Sequence, residues 1–310
     1  ADDIANLFAD NAFTSLKPDV QLSDIEALEE KLNATSSYYM DIERLRDEIN
    51  LAKDLYSSDN SSLGLIKNDF VSRSAGNDNS KFGQSASALQ PIGITAKANS
   101  NIAIYAEIPE GEDVYIVPTQ YYGESGVWKG NAIKLENGRN YITIPQIGNL
   151  SATRGGALYL TYSGNNADDI KIHVRGNNNE VFNTPILDLS NWYNMSVEDR
   201  KTTISTYITE LQNYIDNMNV NDLPLSIRNA TEIATPSILL SMPADQILNG
   251  FVNAGTSKNN IYNNLTSILN TANVESMTEA MYQNVLAWEE EMYVANMVQG
   301  IIPSDTNFED

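Results

Sequence analysis

The sequence contains no cysteine and a single histidine in 310 residues. The first absence removes disulfides, thiol nucleophiles and thiolate metal sites together. The second removes any two- or three-histidine zinc centre and any pair of histidines sharing acid–base work. Basic residues are scarce as well: 19 Lys and Arg stand against 41 Asp and Glu, for a formal net charge of −22. A field of that sign repels phosphate backbones, so nucleic acid is not an expected partner. No apolar run approaches the ~20 residues that a membrane span needs, and none is expected to cross a bilayer.

What is present suffices for folded domains. The hydrophobic fraction is 42%, ordinary for a globular chain, and the length favours two domains over one. Residues 1–57 read as a helical segment. Ser23 to Glu26 form a capping-box pattern, and Ile25, Leu28 and Leu32 then recur at helical spacing. A second stripe, Met40, Ile42, Leu45, Ile49, Ala52 and Tyr56, predicts a helix over 37–56. Two short helices are marginal alone, so their apolar faces are expected to dock on something else. Residues 58–90, rich in Ser, Asn, Gly and Asp, read as a linker or loops around one short segment at 65–71.

From 91 to 184 the period changes to two. Ile102, Ile104, Ala106 and Ile108 share one face, and similar short runs follow, each bounded by Gly, Pro, Asn or Asp. That pattern predicts an antiparallel β-sandwich or barrel, of which the sandwich is the reading adopted. Pro118 and Pro145 are expected at strand ends or edges. Gly155 and Gly156 open the run Ala157 to Tyr162. Without Cβ atoms they allow a sharp turn or a close backbone approach. Residues 185–310 read as mainly helical. Ser196 to Asp199 cap a long helix with a stripe at Ile204, Tyr207, Ile208, Leu211, Tyr214 and Ile215, and the segments 223–229 and 237–241 suit strands. Pro243 suits a first helical turn. Ile261, Leu265, Ile268 and Leu269 form a further stripe. Met281, Val285, Trp288, Met292 and Ala295 form the stripe of a last helix stopped by Gly300, with an apolar face expected to stand open. The fold class is therefore α+β.

Five stretches carry a resemblance. "PIGITAKANSNIAIYAEI" looks like the entry strand of the enhancin-like peptidases, family M-sixty, which begins on a Pro-x-Gly-type turn. "KLENGRNYITIP" and "RGGALYLTYSG" are similar to that family's next two signatures, in the same order. "NTPILDLSNW" resembles the exit from its sandwich, and the acidic helix "NVLAWEEEMYVANMVQG" resembles the one before its catalytic segment. The resemblance covers roughly residues 88–310. It implies a secreted or surface zinc metallopeptidase acting on mucin-like O-glycosylated proteins, with zinc held by HExxH on a helix. This sequence has no HExxH, so no zinc ligand carries over and no catalytic residue is assigned. The chain is expected to be inactive alone: the front part of a longer bacterial enzyme, or one chain of a pair whose C-terminal partner carries HExxH. The alternative is a glycan-binding or adhesion protein without enzymatic activity.

Other candidates rest on residue chemistry. Tyr121, Tyr122 and Trp128 lie in one polar, Gly-rich loop, residues 119–130, and are the candidate glycan-binding residues, since aromatic faces stack on sugar C–H surfaces; the competing reading makes them caps of the sandwich core. The loops 163–169 and 175–180 are oxygen-rich and admit calcium, but neither has a complete calcium-loop spacing, and turns are the simpler reading. Glu289, Glu290 and Glu291 read as a solvated helix face. His173, in alternation with Ile170, Ile172 and Val174, reads as a solvated strand residue.

Overall fold

The computed structural model describes residues 1–35, 41–58, 64–73, 88–121, 127–150, 155–177, 180–218, 229–254 and 274–299. Within them the chain forms five stacked layers. The first is helical: α1 (Asp2–Ala5), α2 (Leu22–Asn33) and α3 (Ile42–Ser57). The second is a four-stranded sheet of β1 (Leu65–Lys67), β9 (Lys171–Gly176), β3 (Asn101–Glu107) and β7 (Gly138–Thr143), in that order. The third runs β10 (Val181–Asn183), β2 (Gln90–Lys97), β8 (Gly155–Thr161), β4 (Tyr115–Tyr121) and β5 (Val127–Lys129), with β6 (Ile133–Lys134) also on β4. A fourth, smaller sheet has the order β11 (Ile186–Asp188), β12 (Thr231–Ala234), β13 (Leu239–Met242). The last layer is α4 (Val197–Asp216), α5 (Ala244–Ala254) and α6 (Val274–Gln299). All pairs in the two larger sheets are antiparallel, and β11–β12 is parallel.

The period-two pattern explains the stacking, because each strand sends alternate side chains to two different neighbours. On β3, Ile102, Ile104 and Ala106 enter a core shared by the two larger sheets, with Ile94, Ile116, Ile142, Leu158, Leu160, Ile172 and Val174. Tyr105 points the other way, into a core built by Ile4, Phe8, Phe13, Ile25, Ile49 and Leu51 of the N-terminal segment. On β8, Leu158 and Leu160 face the shared core, whereas Ala157 and Tyr159 join Val117, Leu89 and Leu239 in a small cluster against β13. On β12, Ile233 faces the helices, where Ile204, Tyr207, Ile208, Leu211, Met277, Met281 and Val285 complete another core. At ~1.5–3 kcal/mol per fully buried large side chain, the α4 stripe alone holds that helix to its sheet.

Gly155 and Gly156 serve close approach. They pair with Lys97 and Ala96 of β2. A Cβ on Gly155 would run into the Ala96 carbonyl, and one on Gly156 would lie 2.7 Å from both Thr119 oxygens on β4. Gly93 takes φ +75°, and the β2–β8 register shifts between Pro91 and Thr95. The expected Pro-x-Gly turn is therefore a bulge inside β2, not a turn before it.

Several expectations change. The first capping box belongs to Gln21 and Asp24, with the Gln21 N–H donating to Asp24 Oδ2 at 2.8 Å, so α2 starts earlier than Ser23 suggested. Residues 65–67, expected among loops, form β1, and Phe70 enters the shared core. Pro118 lies inside β4, opposite the break between β6 and β5, where no ladder donor is required. The apolar stripe of the last helix is largely covered: Met281 and Val285 are fully buried and Trp288 packs on the same core, while its exposed large apolar side chains are Val294, Met297 and Val298 near its end. The Ser196 cap forms as the pattern predicts, with its Oγ accepting from the Asp199 N–H at 3.1 Å. Met40, the stripe at 261–269, Gly300 and most of 223–229 lie outside the described residues. No helix among the described residues is long and apolar enough to cross a membrane.

Candidate functional site

The aromatic candidates sit on the β4–β5 ribbon. Trp128 is directly opposite Gln120, and Tyr121 is opposite Val127. Cross-strand partners share a face, so Trp128 and Tyr121 lie on opposite faces and do not make one aromatic platform. Trp128 is half exposed, at 50%. Tyr121 turns inward, its hydroxyl 3.4 Å from Ser241 Oγ on β13, and burial pushes its phenol up to about 12. Tyr122 lies outside the described residues.

The single histidine is not solvated. Alternation places His173 away from the shared core, as the sequence implies, but the N-terminal segment covers that face. His173 is fully buried, Nδ1 is 3.1 Å from the Ala12 carbonyl, and its ring extends a row formed by Phe8, Phe13 and Tyr105. A zinc site of the HExxH type does not fit the residues present. There is one histidine, it is enclosed by apolar rings, and no group of three metal-ligating side chains occurs among the described residues. In the loop 163–169, Asn166 donates from Nδ2 to Glu112 at 2.8 Å and from its backbone N–H to the Tyr162 hydroxyl at 2.7 Å, so two of that turn's donors are already satisfied.

The densest polar chemistry lies where the C-terminal layers meet the larger sheets. Glu289, expected on a solvated face, is fully buried, whereas Glu290 and Glu291 are exposed. Its carboxylate accepts from Tyr193 Oη at 2.8 Å, from Ser237 Oγ at 3.0 Å, from the Ser237 N–H at 3.3 Å and from Thr235 Oγ1. Nearby, Arg73 reaches the Thr235 carbonyl at 3.5 Å, and burial lowers its guanidinium from the ordinary value. Lys67 on β1 pairs with Asp188 on β11 at 3.2 Å. The second buried acid, Glu232 on β12, accepts from the Tyr159 hydroxyl through Oε1. Sequence reasoning missed both acids. A signal existed for Glu289, which continues the 281, 285 stripe at i+4; Glu232 sits in the apolar run "TEIATPSILLS" without any mark that its side faces inward.

A cleft of about 450 Å³ opens beside this junction. Thr184 and Pro185 from the β10–β11 connection form one wall, and Glu210, Asn213, Tyr214 and Asn217 of α4 form the other. Their spacing is i, i+3, i+4, i+7, at the border of the buried stripe that includes Tyr214.

No family model matches the sequence, and no curated protein matches it. Solved structures share the fold. A structure spanning two CBM modules and the M-sixty catalytic domain of ZmpB from Clostridium perfringens superposes with a TM-score of 0.53 and 20% identity, over 82% of this chain and 25% of that one. A metallopeptidase from Bacteroides thetaiotaomicron superposes with a TM-score of 0.52 and 15% identity, over 99% of this chain and 42% of that one. The chain thus spans well under half the length of the structures it matches.

Proposed function

We propose that this chain is the non-catalytic front part of a secreted zinc metallopeptidase acting on mucin-like O-glycosylated proteins. The observation that carries the reading is the fold it shares with M-sixty metallopeptidase structures, together with sequence signatures that follow that family's order. In this reading the larger sheets form a β-sandwich, and the C-terminal layers begin the catalytic domain. Zinc and the water-activating glutamate belong to an HExxH segment supplied by further chain or by a second polypeptide. The residues here position that segment rather than touch the scissile bond. Val294, Met297 and Val298 give it an apolar surface to meet. The loop 175–180 remains a candidate for calcium.

One observation favours a second reading, a glycan-binding or adhesion protein without enzymatic activity: Trp128 offers a half-exposed indole on an edge ribbon. Elemental analysis separates the two. The desalted chain is expected to carry no stoichiometric zinc, whereas the product of its full reading frame carries about one zinc per chain, as three protein ligands and a water hold it in such enzymes. A full-length product without zinc would replace the peptidase reading with the binding one.

A further inference from the structure

Glu232 is the one described acid whose carboxylate is both buried and incompletely satisfied. It is 1% exposed, Oε1 accepts from Tyr159, and Oε2 has no hydrogen-bond partner. Its place follows from the topology. On β12, Thr231 and Ile233 turn to the helices, with Thr231 Oγ1 2.8 Å from the Tyr207 hydroxyl. Alternation turns Glu232 the opposite way, onto Tyr159 of β8. It therefore lies in the seam between the six-stranded and three-stranded sheets, where the apolar cluster is small: Val117, Ala157 and Tyr159, with Leu89 and Leu239 partly buried. A seam this poor in apolar contact depends on its polar groups more than the other layers do.

Among the described residues, the groups facing Glu232 supply no positive charge. β8 offers the Tyr159 phenol, β4 the Tyr121 phenol and, beyond it, α4 the Tyr214 phenol; β13 offers Ser241, its direct cross-strand partner, and β11 offers Ile186. The nearest ionised groups on this sheet, Asp188 with Lys67 and Arg73 with Thr235, lie toward the far end of β12. Ionised, Glu232 would be a carboxylate with one hydrogen bond and no countercharge, which burial makes costly. Protonated, it is neutral and its O–H is free to donate.

We propose that Glu232 is a proton-operated latch: its neutral form, buried with one carboxyl oxygen unpartnered, holds the three-stranded sheet and its helices onto the larger sheets, and its ionisation loosens that seam. Burial raises its carboxyl from the ordinary 4.5 to about 7, with the Tyr159 hydrogen bond opposing the shift. The sign follows. A folded-state value above the unfolded one means that the stabilisation is complete below about pH 4.5 and is lost as pH rises through about 7. The inference stands independently of whether the chain belongs to a peptidase, since it uses only this seam.

The test compares the intact chain with Glu232→Gln, whose neutral amide can still accept from Tyr159. Melting temperature is followed from pH 5 to pH 8. The two proteins should coincide at pH 5, and the variant should melt higher at pH 8, by on the order of 5 °C for a chain of this size. Parallel curves at all pH values overturn the proposal. Carboxyl-carbon NMR on the unmodified chain gives a reading that needs no variant. One glutamate should titrate with a midpoint near 7, and titration of every glutamate below about pH 5 contradicts the latch. Hydrogen exchange then locates the loosening. At pH 8, after correction for the intrinsic rate, amides of 231–234 and 239–242 should exchange at least roughly tenfold faster than in the variant, with the shared core unchanged. Uniform change across all layers, or none, overturns it.

Discussion

Glu48 shows most directly how one side chain can join two layers. It is fully buried on α3, accepts from Arg139 Nε and Nη2 of β7 at 2.6 Å each, and accepts from the Tyr141 hydroxyl at 2.5 Å. The paired carboxylate raises the Arg139 guanidinium above its ordinary value, and Arg44 lies 4.4 Å over the Tyr141 ring. Glu48→Ala leaves a half-buried cation without its partner and should cost about 3–5 kcal/mol, read by denaturant unfolding. A loss under 1 kcal/mol would mean that the helices are held by apolar contact alone. Gly156→Ala tests the close approach of β8 to β4. The new methyl meets the Thr119 carbonyl, which is backbone and cannot swing aside, so destabilisation of about 1–3 kcal/mol is expected in the same assay. The residues misread from sequence share one cause. Alternation gave the correct face for His173, and helical spacing allows one of three consecutive glutamates to turn inward. What lies against those faces is set by residues 161 positions away for His173 and 52–96 away for Glu289.

Elements were more legible than contacts. The helix α4 follows from its own residues: Ser196 caps it, Asp199 returns a hydrogen bond from the Ser196 hydroxyl at 2.6 Å, and the predicted stripe is the buried face. Ser196→Ala should lower stability by about 1 kcal/mol with activity-independent readout by thermal melting; no change would mean that packing alone sets the start of the helix. Most strands from 101 to 176 were legible for the same reason, since alternation and turn residues are local; β5 was not, because it lies in a stretch that reads as a polar loop and becomes a strand only by pairing with β4. At 65–71 the sequence showed a short segment but not its kind, because the three residues of β1 carry no period and the strand exists only through its pairing with β9. Of the candidate site, Trp128 was legible as an exposed aromatic. Its separation from Tyr121 depends on the register between β4 and β5, which no spacing rule supplied.

At the scale of the whole molecule, one of the contacts between the five layers is thin and the others are well filled. The shared core of the two larger sheets and the helix-packed core beneath β12 are broad; the seam between them is small and holds the buried Glu232. A cleft opens beside that seam, and the last helix ends on exposed Val294, Met297 and Val298. The fold is the one seen in M-sixty metallopeptidase structures, whereas the donors for a zinc site of that type are missing from this sequence. In the proposed function these layers support a catalytic segment that further chain or a second polypeptide supplies. The most direct test is a cleavage assay on an O-glycosylated mucin with zinc present, run with this chain alone and with the product of its full reading frame. The account predicts an intact substrate with the chain alone and chelator-sensitive cleavage with the longer product. Zinc-dependent cleavage by residues 1–310 alone, or none by the full-length protein, would contradict it.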